Sequence, residues 1–127
     1  MVLRYVKIGS LVQDTLENVI SIYREGGTGA LAKEGANYQV PSGKKFVGTL
    51  LIFNNTGACS SRAEYGYADD LNGTNFKKSG EVWFYGYNSY AWTPQLIPIW
   101  LEVPETKYPY VSLSNASVTI IGIEIPA

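Results

Sequence analysis

The sequence predicts an all-β protein, an antiparallel sandwich of jelly-roll type. Three observations carry that expectation. Short apolar segments recur along the chain, several with side chains alternating between two faces. Clusters of Gly, Pro, Asn and Asp punctuate them, the residues that tight turns require. Thirteen glycines and ten tyrosines stand against one methionine, a balance that suits strands. With 127 residues, 46% hydrophobic and 17% charged, the chain is long and apolar enough to bury one core. No linker or shift of composition divides it, so residues 1–127 are expected to form a single domain.

The first third is ambiguous. "YVKI" at 5–8 reads as a strand. In "SLVQDTLENVISIY", Val12, Leu16, Val19, Ile20 and Tyr23 share a helical face, and Ser10 with Gln13 makes a capping box. "NVISIYRE" also reads as a β-branched strand ending at Gly26-Gly27. The β character of the rest favours the strand, with one short helix over 10–18 as the alternative.

The later elements are clearer. "VPSG" is turn punctuation before "KKFVGTLLIFNN", in which strict alternation sends Phe46, Gly48, Leu50 and Ile52 one way and Val47, Thr49, Leu51 and Phe53 the other. Both faces are apolar, as in a central strand covered on both sides. "RAEYGYA" is a short strand followed by the turn-rich "DDLNGTN", and "EVWFYGYN" is the next. "QLIPIWLEV" sets Ile97, Ile99, Leu101 and Val103 on one face; Pro98 lacks an N–H, so an edge or a bulge is expected there. "YPYVSL" is another short strand. "SVTIIGIEI" is strongly β-branched and should be tied into a sheet rather than fray. "EYGYADD" and "FYGYNSY" echo each other, as if two strands lay side by side with each glycine making room for a ring.

Six of the ten residues from Trp83 to Trp92 are aromatic. On a strand, Trp83, Tyr85 and Tyr87 share one side and Phe84 takes the other, which makes Phe84 the core residue. Tyr65 and Tyr67 extend the row if the echo strand pairs here, and Tyr90 and Trp92 follow on a loop. These rings suit a wall of the core, a self-association surface, or a platform on which sugar C–H faces stack. Asp69, Asp70, Asn72 and Asn88 are the polar groups placed to hold sugar hydroxyls.

Several chemistries find no support. A net charge of −1 with scattered cations argues against nucleic acid. Lys44-Lys45 and Lys77-Lys78, the densest basic spots, read as solvated turns. There is no histidine, and Cys59 is the one cysteine, so neither a disulfide within the chain nor a cysteine–histidine metal site can form. Asp70, Asn72, Thr74 and Glu81 are spaced as in a calcium-binding helix–loop–helix. However, Asn75 stands where glycine is needed and Lys77-Lys78 add positive charge, so a solvated turn is the better reading. No pair of carboxylates has a spacing that indicates a hydrolase, so no catalytic residues, cofactor or metal are expected. The Asn-X-Ser/Thr triplets at Asn54, Asn72 and Asn115 read as surface turns. No signal-peptide pattern is present and no stretch reaches the roughly 18 apolar residues of a membrane helix, which predicts a soluble chain.

"YQVPSGKKFVGTLLIFNNTGA" and "NASVTIIGIEIPA" resemble a pattern of small virion- and phage-associated β-sandwich modules, in which a "VPxGK" turn starts an apolar strand that ends in an Asn-Thr-Gly loop. The resemblance covers about a third of the chain. It implies an oligomeric structural or attachment protein, associated with a virion, and carries over no catalytic residue. The sequence therefore predicts a non-enzymatic module that self-associates through aromatic surface, with an oligosaccharide-binding domain as the alternative.

Overall fold

The computed structural model describes residues 19–57, 60–84 and 94–127. The expected strand at 5–8 and the alternative helix at 10–18 lie outside these. Ten strands follow in order: β1 (Val19–Arg24), β2 (Thr28–Ala30), β3 (Ala32–Lys33), β4 (Ala36–Asn37), β5 (Lys44–Asn55), β6 (Ser61–Ala68), β7 (Lys77–Phe84), β8 (Gln95–Val103), β9 (Tyr108–Ser114) and β10 (Ala116–Pro126). They form two antiparallel sheets packed as a β-sandwich, and no helix occurs among the described residues. The six-stranded sheet has the order β4-β3-β1-β10-β5-β8 and the four-stranded sheet the order β2-β9-β6-β7.

Alternation builds the core between the sheets. Ile20 and Ile22 of β1, Leu51 and Phe53 of β5, Leu101 and Val103 of β8, and Val118 and Ile120 of β10 face inward. Ala63 and Tyr65 of β6 and Val111 and Leu113 of β9 meet them from the other sheet. Burying a side chain the size of Phe53 or Leu101 contributes about 1.5–3 kcal/mol. Val82 and Phe84 of β7 pack against the same core, so Phe84 faces inward and Trp83 outward.

Several sequence expectations meet the structure directly. The segment 19–24 is a strand. Gly43 at φ 80° with a 3.1 Å Lys44 N–H to Pro41 carbonyl bond closes a type II turn before β5. β8, which carries Pro98, is an edge strand. β10 is paired on both sides, to β1 and to β5.

Three expectations are corrected. A register shift between Gly48 and Leu50, where β5 meets β8, breaks the strict alternation of β5. Phe46, Gly48, Leu51 and Phe53 thus share the inner face, while Val47, Leu50 and Ile52 turn outward. Lys44-Lys45 and Lys77-Lys78 are not turn residues; they open β5 and β7. The echo strand does run beside β7, but Gly80 makes room for the Tyr65 ring, since a Cβ there would collide with its phenol.

The two outer faces differ in character. On the four-stranded sheet, Thr28, Ser112, Glu64 and Glu81 form one outward row, and Ser114, Arg62 and Trp83 the next. On the six-stranded sheet the outward rows are Val19, Ile123, Val47 and Glu102; Ser21, Ile121, Leu50 and Pro98; and Tyr23, Thr119, Ile52 and Leu96. One outer face is polar, and the other is mostly apolar.

Candidate functional site

β7 and β8 are the long edge strands, and they touch along one side of the sandwich. Each carries one exposed tryptophan on its outward face. Trp83 on β7 is 48% exposed and Trp100 on β8 is 64% exposed. Strand alternation explains both positions, because the neighbours on either side of each ring point to the core.

Both indoles are pinned by the same device. Trp100 donates its Nε1–H to Glu102 Oε2 at 3.2 Å, and Lys45 Nζ holds Glu102 Oε1 at 2.7 Å. Trp83 donates to Glu81, whose Oε2 is held by Lys78 Nζ at 3.1 Å. In each case tryptophan and glutamate stand two residues apart on one strand, so both project from the same face. Lys45 first, and Trp100 second, hold the Glu102 carboxyl below the ordinary range. Lys78 does the same for Glu81, helped by Trp83 and by the charge of Arg62. The Arg62 guanidinium also lies 5.3 Å from the Trp83 ring centroid, a cation–π contact, and reaches Glu64 at 3.3 Å. Leu96 extends the β8 surface and is 66% exposed.

These strands are protected against simple ladder extension. Lys78 and Glu81 charge the β7 edge, and Pro98 removes a donor from β8. What the two strands expose outward is a pair of indole side chains.

The structure brings together only some of the residues that the sequence singled out. Trp83 projects outward. Tyr85, Tyr87, Tyr90 and Trp92, with Asn88, lie outside the described residues, as does Cys59. Tyr65 does not extend the row of Trp83; it faces the opposite side of the sheet and is 9% exposed in the core. Tyr67, beyond a register shift between Tyr65 and Gly66, is half-buried against the same core. The bulge and the inward ladder position, invisible to a count of alternating residues, decide both.

Asp69 and Asp70 stand in the β6–β7 loop, at the far end of the hairpin from Trp83. Six residues of β7 separate them, about 20 Å of strand. Their carboxylates serve the loop itself. Asp70 accepts the Thr74 hydroxyl at 2.6 Å and the N–H groups of Asn72 at 2.9 Å and Thr74 at 3.1 Å. Asp69 accepts Lys107 Nζ and Asn75 Nδ2, each at 2.8 Å. Both carboxyls are held below their ordinary range, Asp69 chiefly by Lys107 and Asp70 chiefly by Thr74. Neither is positioned to hold a ligand that stacks on Trp83. Among the described residues, no group of three or more acidic, histidine or cysteine side chains is arranged to hold a metal ion. No helix among them is long and apolar enough to cross a membrane.

Trp100, Leu96, Glu102 and Arg62 escaped the sequence reading. The signal was present in "QLIPIWLEV": placing Ile97, Ile99, Leu101 and Val103 inward necessarily turns Leu96 and Trp100 out.

No family model and no curated protein matches the chain. Among solved structures it is similar to a chain from the acidic stable capsid of Helicobacter pylori bacteriophage KHP30, with a TM-score of 0.44 and 10% identity over 86% of this chain and 92% of that one. At that identity no residue role passes from one chain to the other.

Proposed function

We propose that this protein is a non-enzymatic structural module of jelly-roll type that self-associates through the tryptophan-bearing side of the sandwich. The strand order supports the jelly roll. With the short β3–β4 hairpin set aside, β1-β10-β5-β8 faces β2-β9-β6-β7, the two four-stranded sheets of a rolled double Greek key. The observation that carries self-association is the pair of pinned indoles on adjacent edge strands. Each ring is held by a Glu–Lys pair before any partner arrives, so little side-chain entropy is lost on contact. Trp is also over-represented among residues that dominate interfaces. A non-enzymatic role fits carboxylates that are bound into their own loop. Virion association fits this reading as a setting for an assembling sandwich.

Sedimentation and light scattering across a range of concentrations test it. The expected result is a concentration-dependent multimer that Trp100→Ser combined with Leu96→Ser returns to a monomer with an unchanged circular-dichroism spectrum. A wild-type chain that stays monomeric throughout overturns the proposal.

One observation favours a second reading, an oligosaccharide platform. The Trp100 ring is fixed beside a carboxylate, the pairing that lets a sugar stack and hydrogen-bond at once. A panel of oligosaccharides titrated against tryptophan fluorescence tests it; binding by one sugar class that Trp100→Ser abolishes is expected, and an unresponsive spectrum removes it.

A further inference from the structure

We propose that the notch at the corner of β1, β3 and β4 binds a single sugar ring. Tyr23, Ala32 and Asn37 are register partners on these three strands, so their side chains stand in one cross-strand row. Tyr23 and Asn37 are exposed, and the small alanine between them leaves a gap. Two strand spacings, about 9.5 Å, separate the flanking residues. Arg24 and Glu25, where the chain turns after β1, close one end of the gap, and Ala30 completes the lining. The cavity so formed holds about 360 Å³, within the range of small-ligand sites.

The chemistry of the walls narrows the ligand. Arg24 is fixed before any ligand arrives: Nη1 donates to the Ala30 carbonyl at 3.3 Å and Nη2 to the Thr28 carbonyl at 3.1 Å. Its guanidinium lies against Gly29, where a Cβ would collide with it. No carboxylate pairs with Arg24 among the described residues, and its Nε is buried without a hydrogen-bond partner. Each η-nitrogen keeps one further N–H. Glu25 offers acceptors, the Asn37 amide offers both donors and an acceptor, and Tyr23 offers a ring and a hydroxyl. The side chains of Tyr23, Glu25 and Asn37 make no hydrogen bond or ion pair among the described residues. Donors and acceptors gathered round a small apolar floor, beside one aromatic ring, match a pyranose. Its hydroxyls both give and take hydrogen bonds, and its C–H face stacks on a ring. A simple anion would meet Glu25 as well as Arg24, and an apolar ligand would strand both charges. The notch lies towards β4, and Trp100 is on β8 at the opposite edge of the sheet, so this site rests on neither reading above.

Amide chemical shifts of the isotope-labelled full-length chain test it, in titrations with the methyl glycosides of glucose, galactose, N-acetylglucosamine and glucuronic acid. The expected result is a saturable shift of the Glu25, Gly26, Ala32 and Asn37 amides with at least one of them, at a Kd on the order of 1 mM. Ala32→Val fills the floor with a residue that suits a strand and should abolish the shift. Asn37→Ala, at an exposed position, should weaken binding about two- to tenfold through one lost hydrogen bond. Trp100→Ser should leave the shift unchanged, which separates this site from an oligosaccharide platform on β8. No saturable shift at these amides with any of the four glycosides, or an equal shift in Ala32→Val, would overturn the proposal. So would sodium acetate matching the glucuronide while the neutral glycosides do nothing, which would make this an anion site.

Discussion

Trp100 donates its indole N–H to Glu102, and Glu102 is held from its other oxygen by Lys45. The indole orientation is thus set by a lysine on the neighbouring strand. Glu102→Gln or Lys45→Met should release the ring. The expected outcome is a fall in the steady-state fluorescence anisotropy of Trp100, read in a chain with Trp83 and Trp92 replaced by Phe. The Tm should stay where it is, because exposed ion pairs contribute little to stability. Weaker self-association in the same variants would tie the pinning to assembly.

Tyr65 and Gly80 form a second matched pair. A side chain at Gly80 meets the phenol of Tyr65 across β6 and β7. Gly80→Val should therefore lower stability by about 1–3 kcal/mol through overpacking. Urea unfolding measures this. Combining it with Tyr65→Ala should give a loss smaller than the sum of the two single losses.

The β6–β7 loop predicts an acid response. Hydrogen bonds from Thr74 lower the Asp70 carboxyl, and Lys107 lowers Asp69. A depressed carboxyl stabilises the fold fully above its unfolded value, about 4, and that stabilisation is lost as pH falls from there through the folded value. The Tm should fall below about pH 4, and Asp70→Asn should make that fall shallower while lowering Tm at neutral pH. An unchanged acid limb in Asp70→Asn would show that the loop does not respond as described.

At alkaline pH the reporter is Tyr38. Its hydroxyl donates to Glu124 at 2.7 Å, tying the 38–40 segment to β10. Burial first, then Glu124, pushes this phenol far above the ordinary value of about 10. Its stabilising effect is complete below that value and lost above it. Ultraviolet titration should show the Tyr38 phenol silent until the chain unfolds, beside a late Tyr65 that burial also raises, and Tyr38→Phe should reduce that late step by one phenol at a cost of about 1 kcal/mol.

The fold class was legible because alternation and turn chemistry are local. "VPSG" with Gly43, the apolar run of β5 and the β-branched β10 each announce themselves within a dozen residues. The side-chain directions of β5 were not legible past Gly48, because a bulge is set by how β8 pairs rather than by β5 itself. β2, β3 and β4 were missed since two or three residues give no period to read. At the candidate site, alternation set Trp83 and Phe84 on opposite faces, but the sequence left open whether the Trp83 row was a core wall or an outer surface. The inward place of Tyr65 was not legible, because its ladder position depends on the partner strands. Asp69 and Asp70 looked free to hold a ligand, whereas Thr74, Asn75 and the distant Lys107 engage them.

β10 lies in the middle of the six-stranded sheet, between β1 and β5. The strand made last among those described is the one that joins the first to the rest. During synthesis β1 and β5 must wait without their shared neighbour until residues 116–126 emerge. Contacts so distant in sequence make folding slow, and the waiting strands expose apolar edges meanwhile. Until β10 takes its place between β1 and β5, aggregation competes with folding for the chain.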